Sequence, residues 1–281
     1  MNMSSLPVAS TDLLSVSVVL YKPDLPKLAI TLRALCHACE RLRGVRADKG
    51  ISLILIDNGQ VPDLSQFAGE LIAAGIRQTL LSGHGNVGYG RGHNLALRHI
   101  ASQYHLVLNP DIDLDPEALV RAVDFLDAHP EAGLLAPWIG DESGEQQYLC
   151  RRVPSVLDLL VRGFLPQRFR RVFASRIARY EMRDVIDGTN VVRNPPIVSG
   201  CFMFFRTNVL AQLGGFDPRY FLYFEDYDLS LRAHEVAEVV YVPLVRVVHF
   251  GGNASRKGFA HIRMFGASAV RFFNRFGWRW L

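Results

Sequence analysis

Four stretches of this chain combine residue types that could hold a phosphorylated ligand or move a proton. Asn109-Pro110-Asp111 closes an apolar run and opens an acidic stretch containing Asp113 and Asp115. A carboxylate at a strand end can hold a divalent cation against a diphosphate, because Mg2+ keeps few protein ligands and completes its shell with phosphate and water. The same residues also make a turn and a helix cap. Phe224-Glu225-Asp226-Tyr227-Asp228 sets three acids beside aromatics. There desolvation can make a carboxylate a better base, or Glu225 and Asp228 can simply serve a helix start. Val248-His249-Phe250-Gly251-Gly252 offers an imidazole after a β-branched stretch, as a metal ligand, a phosphate partner or an ordinary core or surface histidine. Asn86-Val87-Gly88-Tyr89-Gly90-Arg91-Gly92-His93-Asn94 permits close backbone approach and leads into a helix N-terminus that favours anions. It lacks the spacing of a dinucleotide fingerprint and would serve equally as a connector.

The elements that must position these residues follow from hydrophobic period. Ser15–Leu20 predicts a strand and Leu25–Leu42 a helix; Ile51–Ile56 predicts a strand ending in Asp57-Asn58-Gly59. A helix over Leu64–Ala74 and a strand near Gln78–Leu81 lead to a glycine-rich loop, Gly83–Gly92, and a helix over Leu95–Ala101. His105–Leu108 is a strand that stops at Asn109, and a helix covers Glu117–Ala128. This alternation predicts an α/β fold with a Rossmann-like, mostly parallel central sheet flanked by helices. Ligands of such sheets bind beyond the carboxyl ends of the strands, where Asp57, the glycine loop and Asp111 all fall.

After Pro137 the rhythm loosens. A basic, apolar stretch at Val156–Arg179 precedes a strand (Ile197–Phe205), a helix (Thr207–Leu213), a loop (Gly214–Tyr223), a helix (Glu225–His234), a strand (Val239–Val242) and a basic final helix. The expected organisation is a flexible N-terminus (1–14), one domain (15–255) and a basic C-terminal helix (256–281). Within the domain, 15–137 forms a nucleotide-binding half and 138–255 an acceptor-side catalytic half.

The 281 residues are 49% hydrophobic and 21% charged, an ordinary globular balance. The net charge is +4, with basic residues clustered in Arg151–Arg183 and Arg256–Arg279, which suggests an anionic partner surface. Cys36, Cys39, Cys150 and Cys201 lack metal-type spacing and read as structural thiols of a reducing compartment. The start lacks a secretory pattern, and no apolar run approaches the roughly 20 residues of a spanning helix. The expectation is a cytoplasmic protein, soluble or peripheral on the inner membrane. Leu157–Phe173 and Phe259–Leu281 mix Arg with aromatic and apolar residues, which suits an anionic lipid surface or a solvated helix face. Nucleic acid is not an expected partner, because the aromatics do not interleave with a compact basic motif.

Taken in order, Tyr21, Asp57-Asn58-Gly59, Asn86-x-Gly88, Asn94, Asn109-Pro110-Asp111, Gly200, Gly214-Gly215-Phe216-Asp217, Phe221-x-Tyr223-x-Glu225-Asp226-x-Asp228-Leu229 and His249-x-x-Gly252-x-x-Ser255 form a set. With that set the chain resembles the family-2 inverting glycosyltransferases of the GT-A fold, in their bacterial rhamnosyltransferase-like branch, over roughly Ser15 to Ser255. The resemblance implies a nucleotide-sugar donor, dTDP- or UDP-linked, with L-rhamnose from dTDP-rhamnose as the group transferred. It implies as acceptor a hydroxyl of a surface glycan or lipid-linked sugar, as in O-antigen, lipopolysaccharide core or capsule assembly.

In residue terms it implies that Asp57 contacts the base of the nucleotide, with Tyr21, Asn86, Gly88, Asn94 and Asn109 completing the donor site. Asp111 and His249 would hold Mg2+ or Mn2+, Asp226 would be the general base, and Gly200, Glu225 and Asp228 would face the acceptor. Family members often carry Asp where Asn109 stands, although Asn is common in the rhamnosyltransferase-like branch, and Gln60 replaces a frequent serine. A sugar nucleotidyltransferase, the rival enzyme, would show a basic, glycine-rich loop after the first strand, where this chain has Tyr21-Lys22-Pro23-Asp24. A catalytically silent nucleotide-sugar-binding protein is the second rival.

Overall fold

The run Asp12–Leu20 (β1) is buried along its whole length, as a strand covered on both faces must be. A computed structural model describes residues 12–281 except 48, 60, 62, 167–170 and 252–257. Residues 1–11, Gln60, Arg168, Arg170, Gly252, Ser255 and Arg256 lie outside the described residues.

Helix α1 (Leu25–Val45), capped by Asp24, leads to β2 (Gly50–Asp57), α2 (Ala68–Ala73) and β3 (Ile76–Leu81). Then come α3 (Tyr89–Ala96), β4 (Ser102–Leu108), the short β5 (Ile112–Leu114), α4 (Ala118–Ala128) and β6 (Ala132–Gly140). The remainder supplies α5 (Val156–Phe164), α6 (Ala174–Tyr180), β7 (Val192–Arg193), β8 (Phe202–Arg206), α7 (Thr207–Leu213), α8 (Glu225–Ala233), β9 (Glu238–His249) and α9 (Gly258–Phe276).

The nine strands among the described residues join one sheet in the order β3-β2-β1-β4-β8-β6-β9-β5, with β7 also on β9. The pairs among β3, β2, β1 and β4 are parallel, the half expected from the early alternation. β8 then runs antiparallel to both β4 and β6, while β6 and β9 are parallel, so the second half is mixed. Because β8 is reversed, its first residues lie beside the carboxyl end of β4: Leu108 pairs with Phe202. β5 pairs antiparallel with the end of β9, setting Ile112 opposite His249. The topology thus gathers the ends of β1, β2, β4 and β9 and the start of β8 along one edge. One face of the sheet packs under α1 and α4; the other carries Met203, Phe205, Phe216 and Leu229.

Three expectations need correction. Asp12–Leu14, assigned to a flexible N-terminus, open β1: Leu14 is fully buried and Asp12 is in register with Gly50 and Ser102. The stretch read as a loop to Gly92 turns helical at Tyr89. Tertiary contacts explain this, since the Tyr89 amide donates to the Phe221 carbonyl at 3.0 Å and its ring packs on His93 and Phe216. The last strand does not stop at Val242 before Pro243, which lacks an amide hydrogen. The register shifts there, Pro137 facing Val242 and Trp138 facing Arg246, and β9 continues to His249.

A polar chain crosses the buried middle of the sheet. Ser15 Oγ contacts Ser102 Oγ (2.6 Å) and His105 Nδ1 (2.7 Å); Ser17 Oγ contacts His105 Nε2 (2.9 Å) and His93 Nδ1 (2.8 Å). Burial holds both imidazoles well below their ordinary values, His105 down to about 3, so they are neutral struts.

Candidate active site

Asp111 follows β4, and His249 ends β9; the β5–β9 pairing brings them together, with His249 Nε2 3.5 Å from Asp111 Oδ1. That separation is longer than a well-formed hydrogen bond, and Oδ1 is buried with no hydrogen-bond partner. Gln147 grips the imidazole from behind: its Oε1 lies 3.2 Å from Nδ1, and its amide donates to the His249 carbonyl at 2.9 Å. An amide oxygen can only accept, so Nδ1 carries a hydrogen and turns away from Asp111. Nε2 is thus the ring nitrogen aimed at Asp111, and a cation shared between it and the unpartnered Oδ1 would satisfy both. A side chain at Gly251 would place its Cβ 2.6 Å from both Asp111 Oδ2 and His249 Nε2, so glycine keeps this space open.

Burial by itself pushes the Asp111 carboxyl upward, but His249, Lys27 and the Asn109 amide outweigh it and hold Asp111 below its ordinary value. Lys27 is placed by α1 and also donates to the Phe250 carbonyl at 2.8 Å. Among the described residues no third His, Cys, Asp or Glu joins the pair. A two-ligand site completed by phosphate and water fits Mg2+ or Mn2+.

Glu225 and Asp226 open α8, the first buried and the second partly exposed. Burial pushes both carboxyls up, and the Asp226 charge adds to the effect on Glu225, raised to about 8. Their surroundings are unequal. Asp226 Oδ2 accepts from the Gly200 amide (3.0 Å) and Oδ1 from the Tyr227 amide (3.0 Å), and the Arg151 guanidinium favours its charge. Glu225 Oε2 has no partner. The pair therefore holds its charge on Asp226 and its proton on Glu225. Gly200 joins this site to the glycine stretch, because its carbonyl accepts from the Tyr89 hydroxyl at 2.6 Å. Burial raises the Tyr89 hydroxyl, and Glu225, Asp226 and Asp111 all add to the rise, so both acidic centres face this one side chain.

On the nucleotide side, Tyr21 leaves β1 half exposed, and its ring lies beside Gly59. Asp57 ends β2 and accepts from the Gly59 amide at 2.7 Å. Asn86 makes the same kind of turn with the Gly88 amide at 3.0 Å. Gly88 has φ +93°, and the Phe221 carbonyl occupies the space where a side chain would stand. The glycine therefore lets the two halves of the chain touch. Asn58, missed as a site residue, is buried and locks these loops together through the Gly88 carbonyl (2.9 Å) and His84 (3.1 Å).

Two residues expected at the site are struts instead. Asn94 donates its side-chain amide to the Phe216 carbonyl (2.7 Å), and its oxygen accepts from the Phe216 amide (2.9 Å), tying α3 to the turn before α8. Asp228 is fully buried between Arg232 (2.6 Å) and Arg275 (2.7 Å), fastening α8 to α9, and has no surface for an acceptor. Gln147, Lys27 and Arg151 are not legible as site residues, since Lys27 sits in an ordinary helical pattern, Arg151 in a basic cluster and Gln147 in no pattern; only tertiary contacts bring them in.

Comparisons with known proteins agree with this architecture. The model of the family described as Glycosyl transferase family 2 matches residues 15–214. An N-acetylglucosaminyl-diphospho-decaprenol L-rhamnosyltransferase of Mycobacterium tuberculosis (strain ATCC 25618 / H37Rv) is 28% identical over 257 residues, 87% of this chain and 78% of that protein. Rhamnosyltransferase WbbL of Escherichia coli (strain K12) is 25% identical over 187 residues, 63% of this chain and 66% of that one. Among solved structures, GalNAc-T7 with UDP, GalNAc and Mn2+ superposes with a TM-score of 0.59 at 15% identity. The match covers 85% of this chain and 43% of that one, so this chain spans less than half of it.

Proposed function

Since the chain belongs to glycosyl transferase family 2 and is a glycosyltransferase of rhamnosyltransferase-like kind, we propose that it moves L-rhamnose from dTDP-rhamnose to a hydroxyl of a lipid-linked sugar diphosphate. The observation that carries the reading is the meeting of two acidic centres at one sheet edge: a partly exposed Asp226, held by the Gly200 and Tyr227 amides, and the Asp111–His249 pair both act on Tyr89 and Cys201. The similar mycobacterial protein is named for an N-acetylglucosaminyl-diphospho-decaprenol acceptor, which supports the acceptor class.

In this reading Tyr21, Asp57 and Asn86 bound the nucleotide. Asp226 takes the proton of the acceptor hydroxyl while the hydroxyl oxygen bonds to the anomeric carbon from the face opposite the leaving group. The bond from that carbon to the diphosphate oxygen breaks, its electron pair leaves with the nucleoside diphosphate, and the anomeric centre inverts. Asp111 and His249 would hold Mg2+ or Mn2+, which when bound supplies positive charge for the leaving diphosphate.

No helix among the described residues is long and apolar enough to cross a membrane. Peripheral contact with the cytoplasmic face of the inner membrane has its own support. Residues 256–281 carry six basic side chains and no acid. Beyond α9, Trp278 and Trp280 stack on each other at 44% and 65% exposure, beside the exposed Leu281. Aromatic and basic groups together favour an anionic bilayer.

The test is to incubate purified chain with dTDP-rhamnose, Mg2+ and an N-acetylglucosaminyl-diphospho-lipid, with UDP-sugars in parallel. Rhamnosylated lipid of inverted configuration is expected. Transfer from another nucleotide-sugar, or none from dTDP-rhamnose, would overturn the donor assignment.

A further inference from the structure

Beside His249 lies a cleft of about 560 Å³ to which Tyr21, Asp57 and Asn86 contribute no wall. Arg151, Arg162 and Arg183 line it, together with Glu181, and His249 with Gly251 forms part of its wall. Three carboxylates, Asp141, Glu142 and Glu181, also border it, but among the described residues only Glu181 of these pairs with a guanidinium. Glu181 serves two of the guanidiniums, Arg183 at 2.7 Å and Arg162 at 3.5 Å. Arg151 is only 6% exposed and, among the described residues, has no carboxylate within 4.0 Å; its guanidinium donates to the Tyr227 hydroxyl at 3.1 Å. Asp141, which also borders the cleft, accepts from the Ser143 and Glu145 amides of its own turn at 2.9 and 3.0 Å. Glu142 is exposed to solvent. A guanidinium buried without a directly paired carboxylate is costly; the Asp226 charge offsets part of that cost from beyond ion-pair distance, and an anion in the cleft would offset more. Burial, followed by the neighbouring Arg151 charge, holds Arg162 below its ordinary value.

We propose that this arginine cleft is the subsite for the diphosphate of the acceptor, an inference that rests on the lipid-linked diphosphate reading above. Guanidinium groups match phosphate oxygens two bonds at a time, and three of them suit a diphosphate better than a single carboxylate. Position argues for the acceptor over the donor. Arg151 borders both this cleft and the base: it bonds Tyr227, and its charge acts on Asp226. The cleft is built from residues 141–183 and 249–251, whereas Tyr21, Asp57 and Asn86 belong to the parallel half of the sheet. An acceptor anchored by its diphosphate here would offer the attached sugar to Asp226.

Farnesyl diphosphate, a lipid diphosphate without sugar, is the probe. It is titrated calorimetrically into the full chain with the donor site filled by saturating dTDP and Mg2+, and farnesol serves as the uncharged control. Farnesyl diphosphate should bind and farnesol should not. Arg162→Gln and Arg183→Gln, whose side chains are 41% and 50% exposed and so tolerate replacement, should each weaken that binding about ten-fold or more while dTDP binds as before. The proposal is overturned if farnesyl diphosphate does not bind, is displaced by dTDP, binds no better than farnesol, or binds both variants like the parent chain. It is also overturned if dTDP affinity falls in parallel, for the arginines would then serve the donor. A parent chain that binds farnesyl diphosphate but neither dTDP nor UDP would refute the donor assignment and leave this subsite standing.

Discussion

Two acidic centres share one edge of the sheet, and their environments drive them in opposite directions. At Asp111 the neighbouring His249, Lys27 and Asn109 outweigh burial, so the carboxylate stays ionised and open to a cation. At Glu225 and Asp226 burial prevails and the carboxyls are raised, Glu225 to about 8, and Asp226 has the stronger set of amide donors, those of Gly200 and Tyr227. Similar side chains thus become a charge holder in one place and a proton acceptor in the other. The difference lies in what surrounds them, not in the acids themselves.

The comparison breaks most visibly at the base. Asp226→Asn keeps the shape and the Gly200 contact but cannot accept a proton, so turnover should fall on the order of 10²- to 10⁴-fold with dTDP affinity unchanged. Steady-state kinetics beside a dTDP titration checks this, and equal turnover would remove Asp226 as base. At the other centre Asp111→Ala should weaken the Mg2+-dependent part of nucleotide binding by roughly 10- to 100-fold and leave metal-free binding alone. Calorimetry with and without chelator tests it.

A finer probe of that centre is Gly251→Ala, which puts a methyl 2.6 Å from both Asp111 Oδ2 and His249 Nε2. Metal titration should show a loss on the order of ten-fold, with thermal stability nearly unchanged. The smallest effect is on stability. Between its unfolded value of 4.5 and its folded value of about 8, Glu225 keeps a proton in the folded chain that the unfolded chain releases. Stability therefore declines as pH rises through that window. Glu225→Gln should flatten the slope and melt higher than the parent chain at pH 8. An unaltered slope in thermal melts from pH 5 to 8 would move the shared proton elsewhere.

Much of this site is legible in the amino-acid sequence. Asp57, Asp111, Glu225, Asp226 and His249 stand out there because strand ends, turn formers and acid–aromatic runs are local patterns, and local patterns survive in one dimension. The parallel half is readable for the same reason, since each strand there alternates with a helix. Asn94 and Asp228 show the limit. Their motif positions are visible, but a motif does not say whether a polar group turns to a ligand or to the Phe216 backbone and two arginines.

By itself the amino-acid sequence determined the family, the strand-to-helix rhythm and the acids fit for chemistry, because side-chain type and spacing carry those properties. Only the tertiary structure decided which acids meet which partners. The reversal of β8 set Gly200 against Asp226, the pairing of β5 with β9 set Asp111 against His249, and the 141–183 segment delivered Gln147 and Arg151. These contacts join residues far apart in the chain, and the protonation and charge of the site depend on them, since a carboxylate's charge is set by the groups a few ångströms away.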